Sequence, residues 1–188
     1  MRIFCIGECL TEGVGASKDF SYPLYLQHLL GCEHEVINKG KTMVKAETIS
    51  RYPDHFGLNE ISEGDIVCVW MGTNDLYAEE KPDVAFDYFQ SFCNVLIEEN
   101  VVIVAITVLP RSNKTPKGME NSRLIFNNLV RKNYIHVADV GNDPIIGLEH
   151  GELNAEFYHS DDSTHLNDEG YREVAKIVYR AIVREKLI

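Results

Sequence analysis

The sequence predicts an α/β fold built on a parallel sheet of about five strands. Three observations predict it. Strand-length apolar runs alternate with helix-length amphipathic stretches along the chain. Two of the runs, Val67-Cys68-Val69-Trp70-Met71 and Val101-Val102-Ile103-Val104-Ala105-Ile106, are apolar throughout rather than alternating, as central strands covered on both faces are. The 188 residues, 45% of them hydrophobic, suit one domain over 1–188 with a real core, and no linker, internal repeat or low-complexity segment interrupts them.

The five strand candidates are Arg2–Gly7, His34–Asn38, Asp65–Gly72, Val101–Pro110 and Tyr134–Val140. Tyr22–Leu30 is apolar at helical spacing, with Pro23 near its start and Gly31 as its stop. Asp83–Asn100 sets Ala85, Tyr88, Phe89, Phe92, Val95 and Leu96 on one face. Glu120–Lys132 and Asp168–Glu185 are the remaining helices, the last with Asn167 as N-cap and acids in its first turn. Irregular loops are expected at Lys41–Glu63, Pro110–Gly118 and Gly141–Ser160. Strands alternating with helices imply right-handed crossovers.

With 18 basic and 29 acidic residues the formal charge is −11, which argues against nucleic acid or an anionic membrane surface as partner. No stretch is long and apolar enough to span a membrane, and no leader pattern precedes the first strand. Five cysteines without paired spacing fit a reducing cytoplasm, and no zinc or other metal pattern is present. Cys5, Cys32, Cys68 and Cys93 read as small buried apolar residues, and the histidines other than His165 as structural.

In open parallel sheets, ligands sit beyond the carboxyl ends of the strands. Read in order, those ends carry Glu8-Cys9-Leu10-Thr11, Asn38-Lys39-Gly40, Gly72-Thr73-Asn74-Asp75 and Thr107-Val108-Leu109-Pro110-Arg111. Asp162-Ser163-Thr164-His165 precedes the last helix. Acyl transfer needs a nucleophile, a base, a group that orients the base, and donors for the oxyanion. Cys9, His165 and Asp162 have the chemistry for the first three roles. The N–H groups of Cys9 and Gly40 and the side-chain amide of Asn74 have it for the fourth. Taken singly, each has a plainer role: a buried thiol, a surface imidazole, a turn amide and a turn glycine.

Four blocks carry a resemblance to the SGNH, or GDSL, hydrolase family. They are Gly7-Glu8-Cys9-Leu10-Thr11-Glu12-Gly13, Asn38-Lys39-Gly40-Lys41-Thr42-Met43, Gly72-Thr73-Asn74-Asp75 and Asp162-Ser163-Thr164-His165. They stand in family order from Gly7 to Asn167. The resemblance implies a flavodoxin-like three-layer α/β/α fold, a shallow site at the strand ends, and ester or thioester hydrolysis or acyl transfer without metal or cofactor. It carries the nucleophile onto Cys9, the oxyanion roles onto Gly40 and Asn74, and the Asp–His pair onto Asp162 and His165. Three positions depart from the pattern: Cys9 replaces the serine, Glu8 the preceding aspartate, and Met43 the second glycine of the second block.

Three origins of the thiol compete: a natural nucleophile, a degenerate site that only binds, and an engineered serine replacement. Glu8, altered beside it, favours a natural lineage. A thiol has a pKa of ~8.5 and needs less base assistance than a hydroxyl. A thioester intermediate opens acyl transfer to an amine beside hydrolysis. A flavin or nucleotide binder is the further rival, but Gly7, Gly13 and Gly15 do not space as a phosphate-cradling motif. Lys39, Lys41, Lys45 and Arg51 near the second block, and Arg111 beyond the fourth strand, read as solvated loop charges, or else as attraction for an anionic acyl carrier. The acyl substrate and the oligomeric state are not legible.

Overall fold

In the computed structural model, which describes residues 1–110, 118–150, 153–160 and 164–188, five strands form one parallel sheet. They are β1 (Arg2–Gly7), β2 (Glu35–Gly40), β3 (Ile66–Trp70), β4 (Val102–Ile106) and β5 (Val137–Ala138), in the order β2-β1-β3-β4-β5. The chain leaves β1 in one direction to make β2 and returns past it to make β3. The crevice where the winding reverses therefore opens between the ends of β1 and β3, where doubly wound sheets hold ligands. Gly7 sits there at the end of β1, in register with Gly40 on one side and Trp70 on the other.

Seven helices accompany the sheet among the described residues: α1 (Cys9–Glu12), α2 (Tyr22–Leu30), α3 (Ala46–Arg51), α4 (Thr73–Tyr77), α5 (Pro82–Glu98), α6 (Met119–Asn133) and α7 (Asp168–Arg184). Side chains alternate across each strand, so each face of the sheet has its own core. Ile3, Cys5, Cys68, Trp70, Val104 and Ile106 pack under α2 and α7. Phe4, Ile6, Val67, Val69, Ile103 and Ala105 pack under α3, α5 and α6. This is the three-layer arrangement expected, and the apolar runs of β1, β3 and β4 are uninterrupted because both faces are covered.

The expected punctuation is in place. Ser21 Oγ accepts the Leu24 N–H, Pro23 lies in the first turn of α2, and Gly31 ends it at φ +71°. Asn167 Oδ1 accepts the Gly170 N–H at 3.0 Å to start α7. Four expectations are corrected. The 41–63 stretch is not irregular: it holds α3 and the short 3-10 turns Pro53–Phe56 and Leu58–Glu60. A six-residue helix is too short to print a periodicity, and this one is held from outside, as described below. α1 and α4 are likewise too short to print one. β4 stops at Ile106 and β5 has two residues: after the Thr107 N–H donates to the Ala138 carbonyl at 3.3 Å, the buried segment 108–110 leaves the ladder. Cys32 is exposed in the turn after α2 rather than buried.

Candidate active site

Cys9 is the first residue of α1, immediately beyond β1, and is 5% exposed. α1 is a single turn whose Thr11 and Glu12 N–H groups donate to the Glu8 carbonyl at 3.0 and 3.1 Å. β2 delivers Gly40 directly against α1. A methyl group on Gly40 would lie 2.1 Å from the Glu12 nitrogen and 2.5 Å from the Thr11 carbonyl carbon, so only glycine fits. Here the Gly40 N–H is donated to Asn38 Oδ1 at 2.8 Å, a local turn that fixes the end of β2. Asn74 is the second residue of α4, beyond β3. Its Nδ2 donates to the Val44 carbonyl at 2.7 Å, which occupies one of its two amide hydrogens. The first three sequence blocks thus converge on the crevice between β1 and β3.

Glu8 joins them. Its side chain is 1% exposed and spans the crevice: Oε1 accepts the Gly72 N–H at 2.8 Å and Oε2 the Asn74 N–H at 3.0 Å. It caps α4 from another strand, although α4 begins at Gly72 without a local side-chain cap. The extra methylene relative to aspartate is used in this reach. Asp75, also 1% exposed, does the same for α3, its Oδ2 accepting the Ala46 N–H at 2.8 Å. Burial raises the Asp75 carboxyl above the ordinary range, against the pull of the Ala46 and Glu47 N–H groups and of Glu8.

His165, from the other end of the chain, lies against the segment that follows α1: a methyl on Gly15, which has φ +96°, would stand 2.6 Å from His165 Cβ and 2.8 Å from the Leu166 carbonyl oxygen. Tyr171 of α7 donates its hydroxyl to the Val14 carbonyl at 2.6 Å. The Ser17 N–H and hydroxyl both donate to Asp168, at 2.8 and 2.9 Å. On its own side His165 is held by the His159 N–H, which donates to the His165 carbonyl at 2.8 Å, and by the bridge between Tyr158 and Leu166. Asp162 lies outside the described residues, as does Arg111.

The other thiols are differently placed. Cys5 and Cys68 are in-register neighbours on β1 and β3, both fully buried. A bond to Cys5 together with burial pushes the Cys68 thiol well up. Burial pushes Cys93 up to about 12. The basic residues near the second block are largely engaged. Lys39 pairs with Glu60 at 2.5 Å, Arg51 with Glu47 at 2.7 Å, and the Lys41 ammonium stands over the Phe56 ring. Met43, in the position where the block carries glycine, keeps a left-handed φ of +59° and is 92% exposed. Sequence reasoning gave Glu8, Asp75 and Gly15 no role. The first two were visible only as block members, and nothing local signals that their partners lie on other strands. Among the described residues no cluster of three or more His, Cys, Asp or Glu could hold a metal ion, and no helix is long and apolar enough to cross a membrane.

A model of the GDSL-like lipase/acylhydrolase family matches residues 5–173. None of the curated proteins matches the chain. Among solved structures, a protein assigned to the lipolytic G-D-S-L family from Desulfitobacterium hafniense is 18% identical with a TM-score of 0.79, covering 96% of this chain and 98% of its own. A member of the same family from Veillonella parvula is 14% identical with a TM-score of 0.76, covering 98% and 99%. An acetyl xylan esterase is 20% identical with a TM-score of 0.73, covering 97% and 100%. At these identities the likeness is one of fold.

Proposed function

The chain belongs to the GDSL-like lipase/acylhydrolase family, and on that footing we propose that it is a single-domain hydrolase of acyl esters or thioesters that works through an acyl-enzyme on Cys9. His165 takes the Cys9 proton as sulfur attacks the acyl carbonyl carbon, and Asp162 orients the imidazole and stabilises its cation. The oxyanion is received by the Cys9 and Gly40 N–H groups and the remaining Asn74 amide hydrogen, with Gly40 shared between Asn38 and the substrate. Collapse expels the alkoxide or thiolate, which takes the proton from His165. Water, deprotonated by His165, then cleaves the Cys9 thioester and releases the acid and the free thiol.

The observation that carries this reading is the packing of the Cys9–Ser17 segment on the His165–Asp168 segment, through Gly15 and Ser17. It sets the segment that follows Cys9 against the segment that carries His165, which supports the reading. A recess of ≈ 470 Å³ lies beside the segment that follows α1, lined in part by Glu12, Gly13, Val14, Phe20 and Asn38. The acid-rich chain and its five cysteines, none in a disulfide, suit a reducing, cytoplasmic setting.

The nucleophile's identity favours a second reading, transfer of the acyl group from the Cys9 thioester to an amine. A panel of short acyl esters and thioesters, run with water and with amine acceptors, separates the two. Acid release alone supports hydrolysis; amide formation at the expense of acid supports transfer. Failure of any donor to leave a covalent acyl mass on Cys9 overturns both and leaves a binding domain.

A further inference from the structure

We propose that Tyr158 is a positioning residue for His165: its buried hydroxyl ties the chain that carries His165 to the Pro110 carbonyl, just beyond the end of β4. The proposal rests on the reading of His165 as the base of the site.

His165 belongs to two short segments that pair outside the sheet. The His159 N–H donates to the His165 carbonyl at 2.8 Å, Tyr158 and Leu166 form an antiparallel bridge, and the Asn167 N–H donates to the Phe157 carbonyl at 3.1 Å. Asn167 Nδ2 adds a bond to the Glu156 carbonyl at 2.7 Å. α7 starts directly against this pair: a methyl on Gly170 would lie 2.2 Å from the Phe157 carbonyl oxygen. Tyr158 and Leu166, opposite one another in the bridge, are 4% and 0% exposed and belong to the core that also holds Trp70, Ile106 and Leu109. Apolar packing is non-directional. The Tyr158 hydroxyl adds direction, donating to the Pro110 carbonyl at 3.1 Å.

That acceptor is itself fixed. Residues 108–110 are buried and have left the ladder of β4, so their backbone groups need other partners. Asn127 of α6 takes both of those on Val108: Oδ1 accepts the N–H and Nδ2 donates to the carbonyl, each at 2.8 Å. Arg123, fully buried, donates to the Gly141 carbonyl at 3.2 Å and reaches the Val108 carbonyl at 3.4 Å. The Trp70 indole N–H holds the Thr107 carbonyl at 3.0 Å. The chain is thus clamped two residues before Pro110, and the Tyr158 hydroxyl carries that fixed point to the residue paired with Leu166, next to His165. Tyr158→Phe keeps the packing and deletes this bond, taking from a buried carbonyl a donor it has in the native protein.

The test compares Tyr158→Phe with Phe92→Leu in the whole chain. Phe92 is buried in α5, in the core on the other face of the sheet, and reports lost packing alone. With a short acyl ester, Tyr158→Phe should lower kcat about tenfold or more with KM little changed, since small misplacements of a reacting group are costly. The His165 imidazole resonances should move while those of His28 and His136 stay. Phe92→Leu, matched by its urea midpoint, should keep the wild-type kcat and His165 resonances. Unmoved His165 resonances in Tyr158→Phe, an unmoved kcat in an active protein, or the same changes in Phe92→Leu overturn the proposal. Should Tyr158→Phe not fold, Asn127→Ser, which frees Val108 from α6 and leaves Tyr158 in place, is read by the same outcomes. If wild type turns over no acyl donor, it is the hydrolase reading that fails, and the resonances decide alone: moved His165 signals support the tether and unmoved ones overturn it.

Discussion

Gly15 and His165 are in van der Waals contact with no room for a methyl group between them: a Cβ on Gly15 would lie 2.6 Å from His165 Cβ. Gly15 is six residues after Cys9 and has a φ of +96°. Gly15→Ala therefore meets both a forbidden backbone conformation and a collision. Overpacking of this kind costs about 1–3 kcal/mol, and the freedom to relax lies in the His165 segment. The expected outcome is a loss of stability of that size and a larger fall in turnover of an acyl ester. An unchanged turnover in a destabilised variant would show that the His165 position is not set by this contact.

Cys9 should alkylate faster than Cys32, although Cys32 is exposed and Cys9 is 5% exposed. On the proposed mechanism the physical reason is thiolate content: a thiol that hands its proton to His165 reacts as the anion. Mass spectrometry after brief iodoacetamide treatment measures the order directly. His165→Ala should slow Cys9 and leave Cys32 unchanged. Cys5, Cys68 and Cys93 serve as internal controls, since full burial keeps them out of reach. Equal rates at Cys9 and Cys32 would sink the activated nucleophile.

Asn74→Ala removes the proposed oxyanion donor and the bond to the Val44 carbonyl together. The first loss should lower kcat by about 10²–10³-fold, and the second should cost about 1 kcal/mol of stability. Steady-state kinetics with a KM little changed, beside a small shift in the urea midpoint, is the expected pattern. A stability loss without a kcat effect would leave Asn74 a purely structural residue.

Met43→Gly should stabilise the protein. Met43 holds a φ of +59° while 92% exposed, and a side chain in that conformation costs about 1–2 kcal/mol. Glycine relieves the strain but adds freedom to the unfolded chain, leaving a gain of about 0.5–1 kcal/mol. Chemical denaturation is the measurement. A destabilised Met43→Gly would mean that the side chain makes contacts its exposure does not suggest.

Much of the fold was legible because its signals are local. The uninterrupted apolar runs of β1, β3 and β4, the stripe on α5, Ser21 and Pro23 at the start of α2, and Asn167 before α7 each act within a turn or two of their own position. The segment 41–63 was not legible for the opposite reason. α3 and α4 are too short to announce themselves by periodicity, and their N-terminal donors are satisfied by Asp75 and Glu8 from elsewhere in the fold.

The sequence by itself determined the alternation of strands and helices, the order of the four blocks along the chain, and hence the family. Tertiary structure alone decided what the departures from the family pattern do. Glu8 reads along the chain as a lengthened aspartate, yet its carboxylate meets the backbone of residues 64 and 66 positions away. Gly15 reads as a loop glycine, yet it admits the histidine segment that begins at the far end of the chain. Hydrophobic periodicity reports on the next turn of chain; hydrogen bonds and steric fits between strand ends exist only once the sheet has been wound.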